Sequence, residues 1–136
     1  MKNKFKEIKL NINSIGVCEI TLDRPDKHNA MNRSMIDELE EVGQYLMTLD
    51  NVRLVFLQAN GKSFCAGGDL NWMKEQEKKT KEGKLLEARA LAKMLATMNS
   101  LPIPLISIVS GNTFGGGLGL ISVSDTVIAT NTSKFG

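Results

Sequence analysis

Two glycine-rich turns constrain this chain more than any other feature: FCAGGDL at 64–70 and GNTFGGGLGL at 111–120. Each follows a short apolar run, at 52–58 and 105–109, and each precedes a segment with helical character, at 70–81 and 118–123. Glycine lets a backbone approach a ligand closely with its N–H groups aimed at it. Strand, turn and helix repeated in this way predict an α/β fold with parallel strands. Two such turns meeting at one point would offer paired donors to a developing oxyanion.

The remaining segments fit around them. Residues 5–12 and 17–22 alternate polar and apolar about NSIG at 13–16, which predicts a hairpin. RPDKHN at 24–29 breaks the alternation, and a helix is expected to start near Asn32 or Ser34. Met35, Ile36, Leu39, Val42, Leu46 and Leu49 form its apolar face, and Asp37, Glu38, Glu40 and Glu41 a face expected to be solvated. Residues 52–58 lack clean alternation, as a strand covered on both faces would. A polar, lysine-rich helix is expected over 70–81 and a strongly apolar one over 85–101, ended by LPIP at 101–104. A strand at 105–109, a buried helix at 118–123 and a strand at 125–129 complete the series, with no internal repeat or linker.

Composition sets limits on function. The 136 residues fit one domain, and 42% hydrophobic with 24% charged residues is ordinary for a soluble globular protein. A net charge of +2 gives no case for nucleic acid as a partner. KEQEKKTKEGK at 74–84 interleaves five lysines with three glutamates and reads as a solvated helix or mobile connector, with a phosphate-binding patch as the alternative. Cys18, Cys65 and the single His28 supply neither a CxxC pair nor a metal-ligand set, so both thiols are expected to be reduced. Charges occupy the N-terminal stretch where a signal peptide needs apolar residues, and no run has the length of a membrane span. A cytoplasmic protein without a membrane partner is expected.

Other glycine motifs fit poorly. GGGLGL at 115–120 approaches the dinucleotide fingerprint but ends on Leu120, without the acidic residue about twenty positions further on. GKS at 61–63 imitates the end of a phosphate-binding loop, yet Phe56 stands at its first glycine position. No serine lies in a GxSxG elbow.

Taken in order, RPDKHNAMN at 24–32, FCAGGDL and GNTFGGGLGL resemble the enoyl-CoA hydratase/isomerase, or crotonase, family, from about Phe5 to Gly136. The resemblance implies an α/β, crotonase-like spiral of ββα-type turns, of which residues 1–136 would be the N-terminal part of a single domain, truncated at the C-terminus. It implies an acyl-CoA thioester as substrate and an enolate-like intermediate held by two backbone N–H groups. Those donors fall on Gly68 and Gly116. Lys27, His28, Asn29 and Ala30 would line the coenzyme A site, with His28 near the coenzyme's polar part. Ala66, Asp69, Leu70, Asn71 and Gly115 would lie beside the bound thioester; Trp72 and Met73 read either as the border of an acyl pocket or as simple packing. Coenzyme A is part of the substrate, so no separate cofactor, metal, flavin or nicotinamide is implied.

The implied reaction is hydration of a 2-enoyl-CoA in fatty-acid or branched-chain amino-acid catabolism, with double-bond isomerisation as the enzymatic alternative. Two departures bear on it. The family's first glutamate falls on Gly119, and the second lies beyond the Phe135–Gly136 pair, a pattern similar to methylglutaconyl-CoA hydratase-like branches. The rival expectation is a non-catalytic remnant that binds acyl-CoA or only assembles with partners. Complete relatives are trimers or hexamers, an assembly not expected of a fragment without the C-terminal contact region. Asp69 is expected to bond neighbouring amides and Asp125 to serve as a turn or cap residue, while segments 85–101 and 118–123 are expected to expose apolar surface.

Overall fold

The computed structural model describes residues 4–136; the first residues of the charged N-terminal stretch, 1–3, lie outside them. Strands β1 (Ile8–Ile12) and β2 (Val17–Leu22) form the expected antiparallel hairpin. Asn13 builds its turn, its side-chain oxygen accepting from the amides of Ile15 at 3.1 Å and Val17 at 3.0 Å. Strands β3 (Leu54–Ala59), β4 (Leu105–Val109) and β5 (Thr126–Ala129) then add in parallel, giving one sheet in the order β1-β2-β3-β4-β5.

Helices form the crossovers. Helix α1 (Arg33–Met47) starts at Asn32, whose side chain accepts from the Met35 amide at 2.9 Å. Between β3 and β4 run α2 (Leu70–Glu77) and α3 (Lys81–Asn99), and α4 (Gly117–Ser122) leads into β5. The apolar face read for α1 is buried except at Leu49, and it packs with Met94 and Met98 of α3 and with Ile20, Leu22, Val55 and Leu57 of the sheet. Gly43 permits close approach of the two helices, because a Cβ there would lie 2.6 Å from Thr97 Cγ2.

Several expectations need correction. Glu38 is not solvated: it is 4% exposed and accepts from the Lys6 amide at 2.9 Å and the Glu7 amide at 2.6 Å. These are main-chain donors leading into β1, and a carboxylate is the strongest acceptor available to them. Glu40 and Glu41 are half-buried, and only Asp37 of the four is exposed. Strand β3 does alternate, with Val55 and Leu57 buried and Leu54 and Phe56 half-buried, so one of its faces is only partly covered.

The polar helix ends at Glu77 rather than 81, and its successor starts at Lys81 rather than 85. Thr80 decides this, since its hydroxyl accepts from the Gly83 amide at 3.1 Å and caps a new helix. That helix exposes Leu85 and Leu86, as expected of this segment. In α4 only Gly117 and Leu120 are buried, and β5 is an exposed edge.

Candidate active site

The loops after β2, β3 and β4 lie side by side. Met31 pairs with Gly68, Cys65 with Thr113, and Thr113 with Phe135, each in parallel. The Met31 amide donates to Gly67 O at 2.7 Å and the Asp69 amide to Met31 O at 2.8 Å. The Phe64 amide donates to Asn112 O at 3.0 Å, the Phe114 amide to Cys65 O at 2.9 Å, and the Gly115 amide to Gly136 O at 2.9 Å. Main-chain bonds thus bring both glycine turns against each other. Gly67 sits at φ +104°, with a hypothetical Cβ 3.1 Å from Phe114 O, and a Cβ on Gly117 would lie 2.8 Å from Cys65 O. Side chains at these two positions would force the turns apart.

Among the described residues, the amides of Gly67, Gly68 and Gly116 donate to no protein acceptor, whereas those of Asp69, Gly115 and Gly117 do. Of the three, Gly68 and Gly116 border one cavity of ≈ 540 Å³, whose walls include Met31, Trp72, Met73, Ala88 and Leu91. A Cβ on Gly116 would stand 2.8 Å from Met31 Cε, and one on Gly68 3.1 Å from Met73 Sδ. Two glycines with unpaired main-chain donors on the wall of a largely apolar space offer what a carbonyl oxygen gathering charge requires.

A second cavity, of ≈ 430 Å³, meets the first at Gly68 and is lined by Lys27, His28, Ala30, Ala66, Asp69, Leu70 and Asn71. The structure therefore gathers these sequence-derived positions around two cavities that share Gly68. Gly115 stands apart from both linings, exposed on its turn at φ +52°. Asn29 is fully buried and structural. Its side chain accepts from the Arg24 amide at 2.8 Å and donates to Asn60 O at 2.7 Å and Ser63 O at 2.8 Å. It thereby holds the chain where His28 and Asn29 are left-handed, at φ +50° and +55°. His28 Nδ1 lies 3.1 Å from Ser63 Oγ, which fixes the ring at the cavity wall.

Asp69 caps α2, accepting from the Trp72 amide at 2.9 Å, as expected of a residue that bonds neighbouring amides. Burial pushes its carboxyl up, but the Trp72 amide and the Arg24 guanidinium outweigh this and hold it below the usual carboxylate range. Arg24, missed in the sequence, is the pivot here. It contacts Asp69 at 3.2 Å and Glu7 at 2.9 Å and donates to Ala30 O, joining the hairpin to the first loop. The arginine of the RPDKHN break was the available signal. Asp125 accepts from the Leu105 amide at 2.8 Å, the tie of a turn residue. Gly119 has no side chain to carry a proton, and a Cβ there would lie 3.0 Å from Leu95 Cδ1. Cys65 is buried beneath the second turn and its thiol is pushed up by burial. No helix among the described residues is long and apolar enough to cross a membrane.

Known proteins are similar to this chain in sequence and fold. The enoyl-CoA hydratase/isomerase family model matches residues 13–136. The chain is 35% identical over 131 residues to the enoyl-CoA isomerase/hydratase fer4 of Mycosarcoma maydis, covering 89% of this chain and 46% of that protein. It is 29% identical over 132 residues to a trans-2-decenoyl-[acyl-carrier-protein] isomerase of Streptococcus mutans, covering 96% and 50%. The crystal structure of an enoyl-CoA hydratase from Shewanella pealeana superposes with a TM-score of 0.93 at 39% identity, over 97% of this chain and 49% of that one. The chain thus spans about half the length of the relatives it matches. Its parallel strands and the loops that cross behind them are those of the crotonase fold. With the family model covering both glycine turns, this chain belongs to the enoyl-CoA hydratase/isomerase family.

Proposed function

We propose that this chain binds an acyl-CoA thioester and polarises it for hydration of a 2-enoyl group. The acyl chain occupies the ≈ 540 Å³ cavity and the coenzyme arm the ≈ 430 Å³ one, with the thioester carbonyl at their junction. The observation that carries this reading is the pair of unpaired amides, Gly68 N–H and Gly116 N–H, on one cavity.

Hydration adds hydroxide to the β-carbon and moves the electron pair of the double bond onto the thioester oxygen, before a proton reaches the α-carbon. Two preorganised donors stabilise that oxygen, and removal of one such donor typically costs about 3–4 kcal/mol. Proton transfer needs a separate acid/base group. Of the carboxylates on the two cavities, Asp69 is held by Arg24, and Glu77 sits exposed on the rim. Phe135 and Gly136 run beside the second glycine turn, where the family resemblance puts the approach to its other glutamate.

The test compares a saturated acyl-CoA with its S-alkyl analogue, which lacks the carbonyl, by titration calorimetry. Two amide–carbonyl bonds at about 0.5–1.5 kcal/mol each predict a preference for the thioester of roughly fivefold to 150-fold. Equal affinity refutes the carbonyl's place between the two turns. Loss of the enoyl absorbance of crotonyl-CoA then separates hydration from binding without turnover.

A further inference from the structure

Trp72, the only tryptophan of the chain, lines the ≈ 540 Å³ cavity on one side. On its other side it lines a polar cleft of ≈ 290 Å³ with Arg24, Asn32, Arg33 and Glu75. The indole is therefore a partition between an apolar space and a polar one. Its helix is lightly anchored: α2 has no buried residue, and Leu70 and Met73 are largely exposed.

What holds the partition is a carboxylate on the neighbouring helix. Glu87 of α3 is 6% exposed. Its Oε2 accepts from Trp72 Nε1 at 3.3 Å and from Arg33 at 2.8 Å, and its Oε1 accepts from Lys79 Nζ at 2.5 Å. One side chain thus joins the start of α1, the connector after α2, and the cavity wall. Arg33 is itself steadied by Asp37 at 2.8 Å. At the other end of α2 the Asp69 cap and its Arg24 contact play a similar part.

We propose that Glu87 is a positioning residue that holds Trp72 as the wall of the acyl cavity and so limits the length of acyl chain admitted. This rests on the acyl-CoA reading above. With Glu87 intact the indole closes the cavity on the cleft side. Without it, α2 loses its tie to α1 and α3, the ring is free to move into the cleft, and the two spaces join.

The experiment measures affinity for saturated acyl-CoAs from butyryl to dodecanoyl in the wild type, Glu87→Gln and Trp72→Ala, with acrylamide quenching of Trp72 fluorescence. Both variants should favour longer chains, raising the dodecanoyl-to-butyryl affinity ratio by about tenfold or more, since each added methylene buried strengthens binding. Glu87→Gln should also make Trp72 more quenchable. A uniform loss of affinity at every length, or an unchanged ratio, overturns the proposal; if Glu87→Gln fails to fold, Glu87→Asp, whose shorter side chain withdraws the carboxylate from Trp72 Nε1, takes its place in both measurements. If the wild type binds no acyl-CoA, the acyl reading fails, and unchanged quenching in Glu87→Gln separately overturns the role of Glu87 in fixing the indole.

Discussion

Replacing Gly117 with alanine places a methyl carbon 2.8 Å from Cys65 O, 2.9 Å from Cys65 Cβ and 3.1 Å from Cys65 Sγ. The nearest obstacle is a backbone oxygen that already accepts from the Phe114 amide at 2.9 Å, and Cys65 is fully buried. Neither atom retreats without moving a glycine turn. Overpacking of this kind typically costs about 1–3 kcal/mol. The functional effect adds to that, because relief of the clash parts the turns and carries Gly116 N–H away from Gly68 N–H. A donor lost entirely from such a site removes about 10²–10³ in rate. Urea unfolding with Gly117→Ala should therefore show a loss of about 1–3 kcal/mol. The preference for an acyl-CoA over its S-alkyl analogue should fall toward unity. A variant as stable as the wild type, with that preference intact, would refute the claim that the turns are held together at this contact.

Two further outcomes follow from buried carboxylates. Glu38→Ala leaves the Lys6 and Glu7 amides without their acceptor and should cost about 2–3 kcal/mol in chemical denaturation, whereas a solvated glutamate would cost almost nothing. Glu87 gives a pH dependence. Burial pushes its carboxyl up, but hydrogen bonds from Lys79, Arg33 and Trp72 prevail and bring it from 4.5 to about 2. A carboxyl lowered by folding stabilises the protein above its unfolded value, and that contribution fades as pH falls from about 4.5 toward 2. At 1.36 kcal/mol per pKa unit the upper limit is about 3 kcal/mol, which solvent screening of the half-exposed Arg33 and Lys79 reduces to about 1–2. Urea unfolding of the wild type and Glu87→Gln should converge in stability across that interval, and a constant difference between pH 7 and 2.5 would contradict the assignment.

The two glycine turns were legible in the sequence because what matters there is backbone. A donor amide needs no particular side chain, but it does need neighbours that leave room, and that requirement is written as glycine at 67, 68, 116 and 117. The hairpin, α1 and β4 were readable for a similar reason, since period and turn chemistry are local properties. What escaped were contacts between distant segments. Glu38 occupies a helix face shared with Asp37 and Glu41, and nothing in that spacing reveals main chain at Lys6 and Glu7 crossing over it. Trp72 and Glu87 stand on different helices, separated by a Thr80 cap hidden within a lysine-rich stretch. The pairing of Arg24 with Asp69 spans two loops, and the family motifs contain both residues without showing that they touch.

The account rests on two amides reaching for one oxygen, and ¹⁵N-glycine labelling observes them directly. Titration of the labelled protein with a saturated acyl-CoA should move the Gly68 and Gly116 amide protons downfield together, at the same ligand concentration. Binding that shifts neither resonance, or shifts Gly68 while Gly116 stays in place, would contradict it.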